Sequence, residues 1–195
     1  MRRRDRIFGL GKSLFEVVRG QKPPPDVPPV ETTAAARAAY QPPKRDDAES
    51  RVDTGDVWAV RYAIDPQGTP LLVNHWATWC DGCLEEMPLL VRLYKAHGER
   101  VRFQGVVWEG FTSPHDVDGQ RAAVDASARE FGAAWRHMLY TGTPDELFAG
   151  LLLADTVIPQ TQVLDGDGKV LFAKTGALSE RDTDEIDAIF RAFAS

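Results

Sequence analysis

Leu71-Leu72-Val73-Asn74-His75-Trp76-Ala77-Thr78-Trp79-Cys80-Asp81-Gly82-Cys83-Leu84-Glu85-Glu86-Met87-Pro88 is the stretch whose reading decides the fold. It opens as an apolar run with the length and β-branched or aromatic content of a buried strand. It then passes through Ala77-Thr78-Trp79 into a Cys-x-x-Cys pair and leaves as an amphipathic helix. Cys80 and Cys83 are the only cysteines in the chain. Any cysteine chemistry therefore takes place between these two, or with a thiol from another molecule.

The spacing has a mechanical reason. A cysteine in the first turn of a helix faces backbone N–H groups that lack an intrahelical partner, together with the positive end of the helix dipole. Both stabilise a thiolate and lower its pKa. Three residues later the chain has made nearly one turn, so Cys83 returns to the same face. Cys80 is the expected nucleophile, and Cys83 the resolving thiol that attacks a mixed disulfide formed at Cys80.

The run from Asn74 to Pro88 resembles the thioredoxin-like fold, and within it the TlpA/ResA-type thiol-disulfide oxidoreductases. Those proteins carry a similar Asn-Phe-Trp-Ala-Thr-Trp-Cys-x-x-Cys, with Glu-Met-Pro shortly after. The matching positions are Asn74, Trp76, Ala77, Trp79, Cys80, Cys83, Glu86, Met87 and Pro88, and a weaker likeness extends over residues 52–193. The resemblance implies a disulfide reductase that acts on a client protein, is regenerated by an upstream thiol reductant, and works as a monomer without cofactor. It also implies that Ile158-Pro159, just before Gln160-Thr161-Gln162-Val163, has a cis peptide bond and packs beside the cysteine pair. A cis X-Pro bond makes a tight turn and leaves the preceding residue's backbone groups free to pair with an extended substrate. Trp79 is expected to cover Cys80 in part and to offer a client an apolar contact, whereas Trp76 belongs to the core.

Three places set the chain apart, one from thioredoxins proper and two from the usual family pattern. Asn74 stands where thioredoxins proper carry a buried Asp, thought to help deprotonate the resolving cysteine, and Asn is no base. Glu86, three residues beyond Cys83 on the same helix face, is the candidate replacement, since burial would raise its pKa toward working pH. A surface Glu is the equal alternative. Asp81-Gly82 replaces the usual Gly-Pro or Pro-Pro, and a carboxylate beside Cys80 disfavours its thiolate. His75, where Phe is usual, reads as a satisfied, half-buried histidine.

Composition divides the 195 residues into an extension, 1–50, and a domain, 51–195. The first 50 residues hold seven of the thirteen prolines and ten Lys/Arg against seven Asp/Glu. They read as a basic, mostly disordered tether. The rest carries thirteen Lys/Arg against twenty-two Asp/Glu, an acidic balance that argues against nucleic-acid binding. Ile7, Leu10, Leu14, Phe15 and Val18 recur at helical spacing, which reads first as a frayed or locally packed helix on the tail; a short basic amphipathic helix resting on an anionic membrane is the alternative, and the one route to membrane contact. Lys12 and Glu16 interrupt residues 7–19, no small-x-small cleavage site follows closely, and no run approaches the ~18 apolar residues of a membrane span. A cytoplasmic site is the expectation, with a membrane-associated or periplasmic one as the alternative.

Along the domain, Arg51 to Gly55 reads as a boundary, and Val57–Ile64 and Leu71–Trp76 as strands. A helix follows from Cys80 to about Ala96, kinked at Pro88 and closed by His97-Gly98. Val101–Trp108 is a strand, Glu109–Gly119 a polar loop, Gln120–Phe131 a helix closed by Gly132, and Arg136–Tyr140 a short strand. Thr143 caps a helix that begins at Pro144 and runs to about Leu153. Thr161–Leu164 and Lys169–Lys174 form a hairpin across Asp165 to Gly168, and Glu180–Phe193 is a closing helix entered through Ser179. The fold class is α/β, a central mixed sheet with helices on both faces.

Other uses of the pair fit less well. Zinc takes about four ligands, and His75, His97, His115 and His137 are scattered over different elements. Covalent haem attachment needs His after the second cysteine, where Leu84 stands. Asp165-Gly166-Asp167-Gly168-Lys169 begins like a calcium loop, but its twelfth position is Gly176 rather than Glu. A peroxiredoxin-like thiol peroxidase and a copper carrier using both thiolates remain the alternative functions.

Overall fold

Six strands build one sheet: β1 (Val52–Gly55), β2 (Leu71–Trp76), β3 (Arg102–Val107), β4 (Arg136–Tyr140), β5 (Gln160–Leu164) and β6 (Val170–Thr175), in the order β1-β4-β3-β2-β5-β6. β1, β4, β3 and β2 are parallel neighbours, while β5 is antiparallel to both β2 and β6. The structure is a computed structural model and describes residues 51–111, 116–151 and 156–193. The extension expected over residues 1–50, and His115, lie outside the described residues.

Among the described residues, five α-helices cover the sheet. On one face lie α2 (Asp81–His97), α3 (Val117–Phe131) and α5 (Glu180–Ala192), packed on Leu72, Trp76, Phe103, Leu139, Val163 and Phe172. On the other lie α1 (Val57–Ala63) and α4 (Pro144–Leu151), against Leu71, Val73, Val106, Met138 and Tyr140. β2 is buried along its whole length because it is central and covered on both sides, which is why apolar residues fill it apart from Asn74 and His75. Alternation within it sends Leu72, Asn74 and Trp76 to the α2 face, and Leu71, Val73 and His75 to the other.

Two elements differ from the sequence reading. Val57–Ile64, expected as a strand, is helix α1 with its end at Ile64, and the supposed boundary at Arg51 to Gly55 contains strand β1. Asp56 decides the matter: its carboxylate accepts from Trp58 N and Ala59 N, each at 3.0 Å, satisfying N–H groups that a helix start leaves open. The Arg102 guanidinium closes the far end by donating to Ala63 O and Asp65 O, both at 2.9 Å, and to Pro66 O. A smaller difference is the start of α3 at Val117, ahead of the expected Gln120, with Asp116 as its cap. Pro88 lies inside α2, which runs unbroken from Asp81 to His97. α4 matches its expected start, and residues 152–153, where its end was expected, are outside the described residues. The hairpin and the Ser179-capped α5 stand where the sequence puts them.

Candidate active site

The chain leaves β2 at Trp76 and turns sharply, with Cys80 N donating to Ala77 O at 3.2 Å. The buried Glu109 carboxylate fixes this turn by accepting from Thr78 N. Cys80 is the N-cap of α2, and its sulfur lies 3.3 Å from Cys83 N, in the position a capping oxygen usually takes. The same N–H also donates to Cys80 O at 2.9 Å, and a helix-start N–H shared with sulfur in this way favours a thiolate there. The two sulfurs are joined as a disulfide across one helical turn. Cys80 is 9% exposed and Cys83 fully buried, so a visiting sulfur can reach only the first.

The Ile158-Pro159 bond is cis, as expected. Ile158 O lies 3.7 Å from Cys80 Sγ, and Pro159 O accepts from Gly176 N at 2.8 Å. A Cβ placed on Gly82 would meet Pro159 Cδ at 3.7 Å and Ala177 Cβ at 3.9 Å. Three segments distant in sequence thus meet at the disulfide: the start of α2, the turn before β5, and the loop from β6 to α5. Trp79, next to Cys80 in the chain, is 45% exposed, and Val157, next to Ile158, is 53% exposed. Trp76 is wholly buried.

Beneath Cys83 lies a carboxylate. Glu86 is buried with Cys83, Met87 and Leu90 on the stripe of α2 that faces the sheet. Its two oxygens accept from Asn74 Nδ2 and Leu178 N, each at 2.7 Å. Burial raises its pKa from 4.5 to about 7, and those two hydrogen bonds and the nearby Lys174 hold it from rising further. Asn74 Nδ2 also donates to Thr161 Oγ1, while Asn74 Oδ1 is buried without a partner among the described residues. The surface alternative for Glu86 is thereby ruled out.

His75 lies on the opposite face of the sheet from the cysteines. It is fully buried rather than half-buried, because β2 is covered on both sides. Its Nδ1 accepts from Trp108 Nε1 at 3.2 Å, and burial lowers its pKa to about 3, so the ring is neutral. His137 Nδ1 accepts from Trp76 Nε1, and His97 bonds Asp187 at the far end of α2. No group of three or more metal-ligating side chains occurs among the described residues.

Known proteins resemble the chain in sequence and fold. The chain is 31% identical over 128 residues to the thiol:disulfide interchange protein DsbE of Pasteurella multocida, covering 64% of this chain and 62% of that one. It is 33% identical over 72 residues to the thiol-disulfide oxidoreductase ResA of Oceanobacillus iheyensis, 29% of this chain and 38% of that. The solved structure of a thioredoxin-family thiol:disulfide interchange protein from Chlorobium tepidum superposes with a TM-score of 0.51 at 26% identity, over 64% of this chain and 81% of the other. The fold is thioredoxin-like, and in sequence the chain is similar to thiol-disulfide oxidoreductases of the DsbE and ResA kind. No family model matches it. It spans less than two thirds of the length of the curated relatives named above. The sequence motif locates the cysteines, and the resemblance it carries points to the cis proline. It gives no sign of the contributions of Glu109, Gly176, Ala177 and Leu178. Gly176, at φ 94°, leaves a trace only as a glycine after a strand.

Proposed function

We propose that the protein is a thiol-disulfide oxidoreductase that reduces disulfides in partner proteins through Cys80. The thiolate of Cys80 attacks a partner disulfide, forming a mixed disulfide and releasing one partner thiolate. Cys83 gives its proton to Glu86, attacks Cys80 Sγ, and releases the second partner thiolate. The Cys80–Cys83 disulfide is left behind, and two electrons have moved to the partner. An external thiol reductant reverses the change on the enzyme. No cofactor takes part.

The reading rests above all on one arrangement. An accessible sulfur caps a helix beside a cis proline, with its buried partner one turn above a carboxylate of raised proton affinity. Trp79, Ile158 and Pro159 form the client surface, where a segment of extended chain can lie against apolar side chains and backbone. A carboxylate with a pKa near 7 suits proton exchange with a thiol at neutral pH. The names of the DsbE and ResA relatives support the same activity.

The partner is a protein bearing a disulfide, the reductant a thiol, and the enzyme acts as a monomer. The expected cytoplasmic site finds no support in the relatives. Structural disulfides persist in oxidising compartments, which favours the membrane-associated or periplasmic alternative, testable by cell fractionation. No described helix is long and apolar enough to cross a membrane. Cys83→Ser, expressed in the native host, should accumulate a mixed disulfide between Cys80 and the partner, visible on non-reducing gels. Absence of any thiol-releasable adduct with Cys83→Ser would refute the exchange mechanism.

A further inference from the structure

Asn74, Thr161 and Lys174 stand side by side on three neighbouring strands: Asn74 pairs with Thr161 across β2 and β5, and Thr161 with Lys174 across β5 and β6. Directly paired residues share a sheet face, and this one is the α2 face that carries the cysteines. Asn74 holds Glu86, as does Leu178 N from the loop that leads into α5. The next residue, Ser179, is the N-cap of α5, and its hydroxyl and backbone N–H both bond the Asp182 carboxylate. Asp182 in turn forms an ion pair with Lys174 Nζ. A polar row therefore runs from the interior below Cys83 to the surface, with a cation and an anion at its outer end.

We infer that Lys174 and Asp182 are positioning residues of opposite sign for the reaction at Cys83, acting through Glu86. The inference rests on the role proposed above for Glu86. The ammonium favours the ionised carboxylate, and Asp182 opposes it both by its own charge and by drawing the ammonium toward α5. Both are more than two-thirds buried, which limits screening by solvent. The other charges around Glu86 are remote or balanced. On α2, Glu85 is exposed, and Arg92 is paired in solvent with Glu180 of α5. β2 and β5 present the neutral Asn74 and Thr161, and His75 faces the other side of the sheet. The pair thus sets how readily Glu86 accepts the Cys83 proton, and with it the pH at which the resolving step is fastest.

The test follows the Glu86 carboxyl carbon by NMR through a pH titration of the full-length oxidised protein. Lys174→Met should raise its midpoint and Asp182→Asn should lower it, each by about threefold or more in proton affinity. Lys174→Arg keeps the charge and should restore the original midpoint. Ser179→Ala removes the cap hydroxyl but neither charge and should leave the midpoint in place, which separates electrostatics from a loosened helix start. Shifts of the same sign in Lys174→Met and Asp182→Asn, no shift in either, or an equal shift in Ser179→Ala would overturn the inference. Failure of the underlying reading has a separate signature: Glu86→Gln would leave the pH profile of disulfide exchange unchanged, whatever the midpoints do.

Discussion

Replacing Glu86 by Gln removes an ionisable group from the interior and should make the stability of the oxidised protein less dependent on pH. The carboxyl has its pKa raised by burial from 4.5 to about 7. Below pH 4.5 it is protonated in both folded and unfolded chains and contributes no pH dependence. Between the two values the unfolded chain releases its proton while the folded one keeps it, so stability falls as pH rises. Above 7 the loss is complete. The width of that window, at 1.36 kcal/mol per unit, makes the total about 3 kcal/mol. Gln cannot accept from both Asn74 Nδ2 and Leu178 N, which adds a pH-independent cost of roughly 1–3 kcal/mol. The informative quantity is therefore the difference between wild type and variant as a function of pH, which cancels every other titration. Urea denaturation at intervals from pH 4 to 8, with the disulfide intact, measures it. The variant should gain on the wild type as pH rises, mostly between pH 5 and 7. A difference flat to within about 0.5 kcal/mol would mean that Glu86 titrates normally, and the proton-acceptor role would fall with it.

Other outcomes follow from the same residues. His75 has its pKa lowered from 6.5 to about 3 by burial, so only the unfolded chain takes up its proton as pH falls below 6.5. His75→Phe should accordingly lessen the loss of stability between pH 6.5 and 4, read from the same denaturation series; an unchanged slope would contradict the buried, neutral ring. Trp79→Ala should raise KM for a protein disulfide about tenfold, the scale of one lost aromatic contact, while leaving the rate with dithiothreitol within about twofold. Equal losses with both substrates would place Trp79 in the reaction rather than in docking. Indole fluorescence should differ between oxidised and reduced protein, since Trp79 adjoins Cys80; identical spectra would count against that contact.

The sequence discloses most where one local pattern carries the answer. β2, the start of α2, the β5–β6 hairpin and the capping box of α5 each rest on residues within a few positions of one another. The cis bond at Pro159 was legible through resemblance alone, as proline by itself favours trans. Val57–Ile64 was misread because its valines and aromatics suit a strand and its apolar positions fit both periods. Asp56 as a cap and the burial of Ala59 and Val60 are what a helical reading needed. The burial of Glu86 had a local sign, since it falls in the stripe of Cys83, Met87 and Leu90. Its partners had none: Leu178 and Lys174 are brought beside it only by the antiparallel return of β5 and β6 and the docking of α5. The clamp of Glu109 on Thr78 likewise depends on β3 lying next to β2.

Electron transfer from this cysteine pair to a protein disulfide is the property on which every role above depends. Fully reduced protein mixed with an equimolar disulfide-bonded protein such as insulin, quenched in acid and analysed by mass spectrometry, tests it directly. The expected result is loss of two thiols from the enzyme as the Cys80–Cys83 disulfide closes, matched by two thiols gained on the substrate, with Cys80→Ser inert and Cys83→Ser stopped at a one-to-one adduct through Cys80. Substrate reduced equally fast by Cys80→Ser, or left untouched by the reduced wild type, would contradict it.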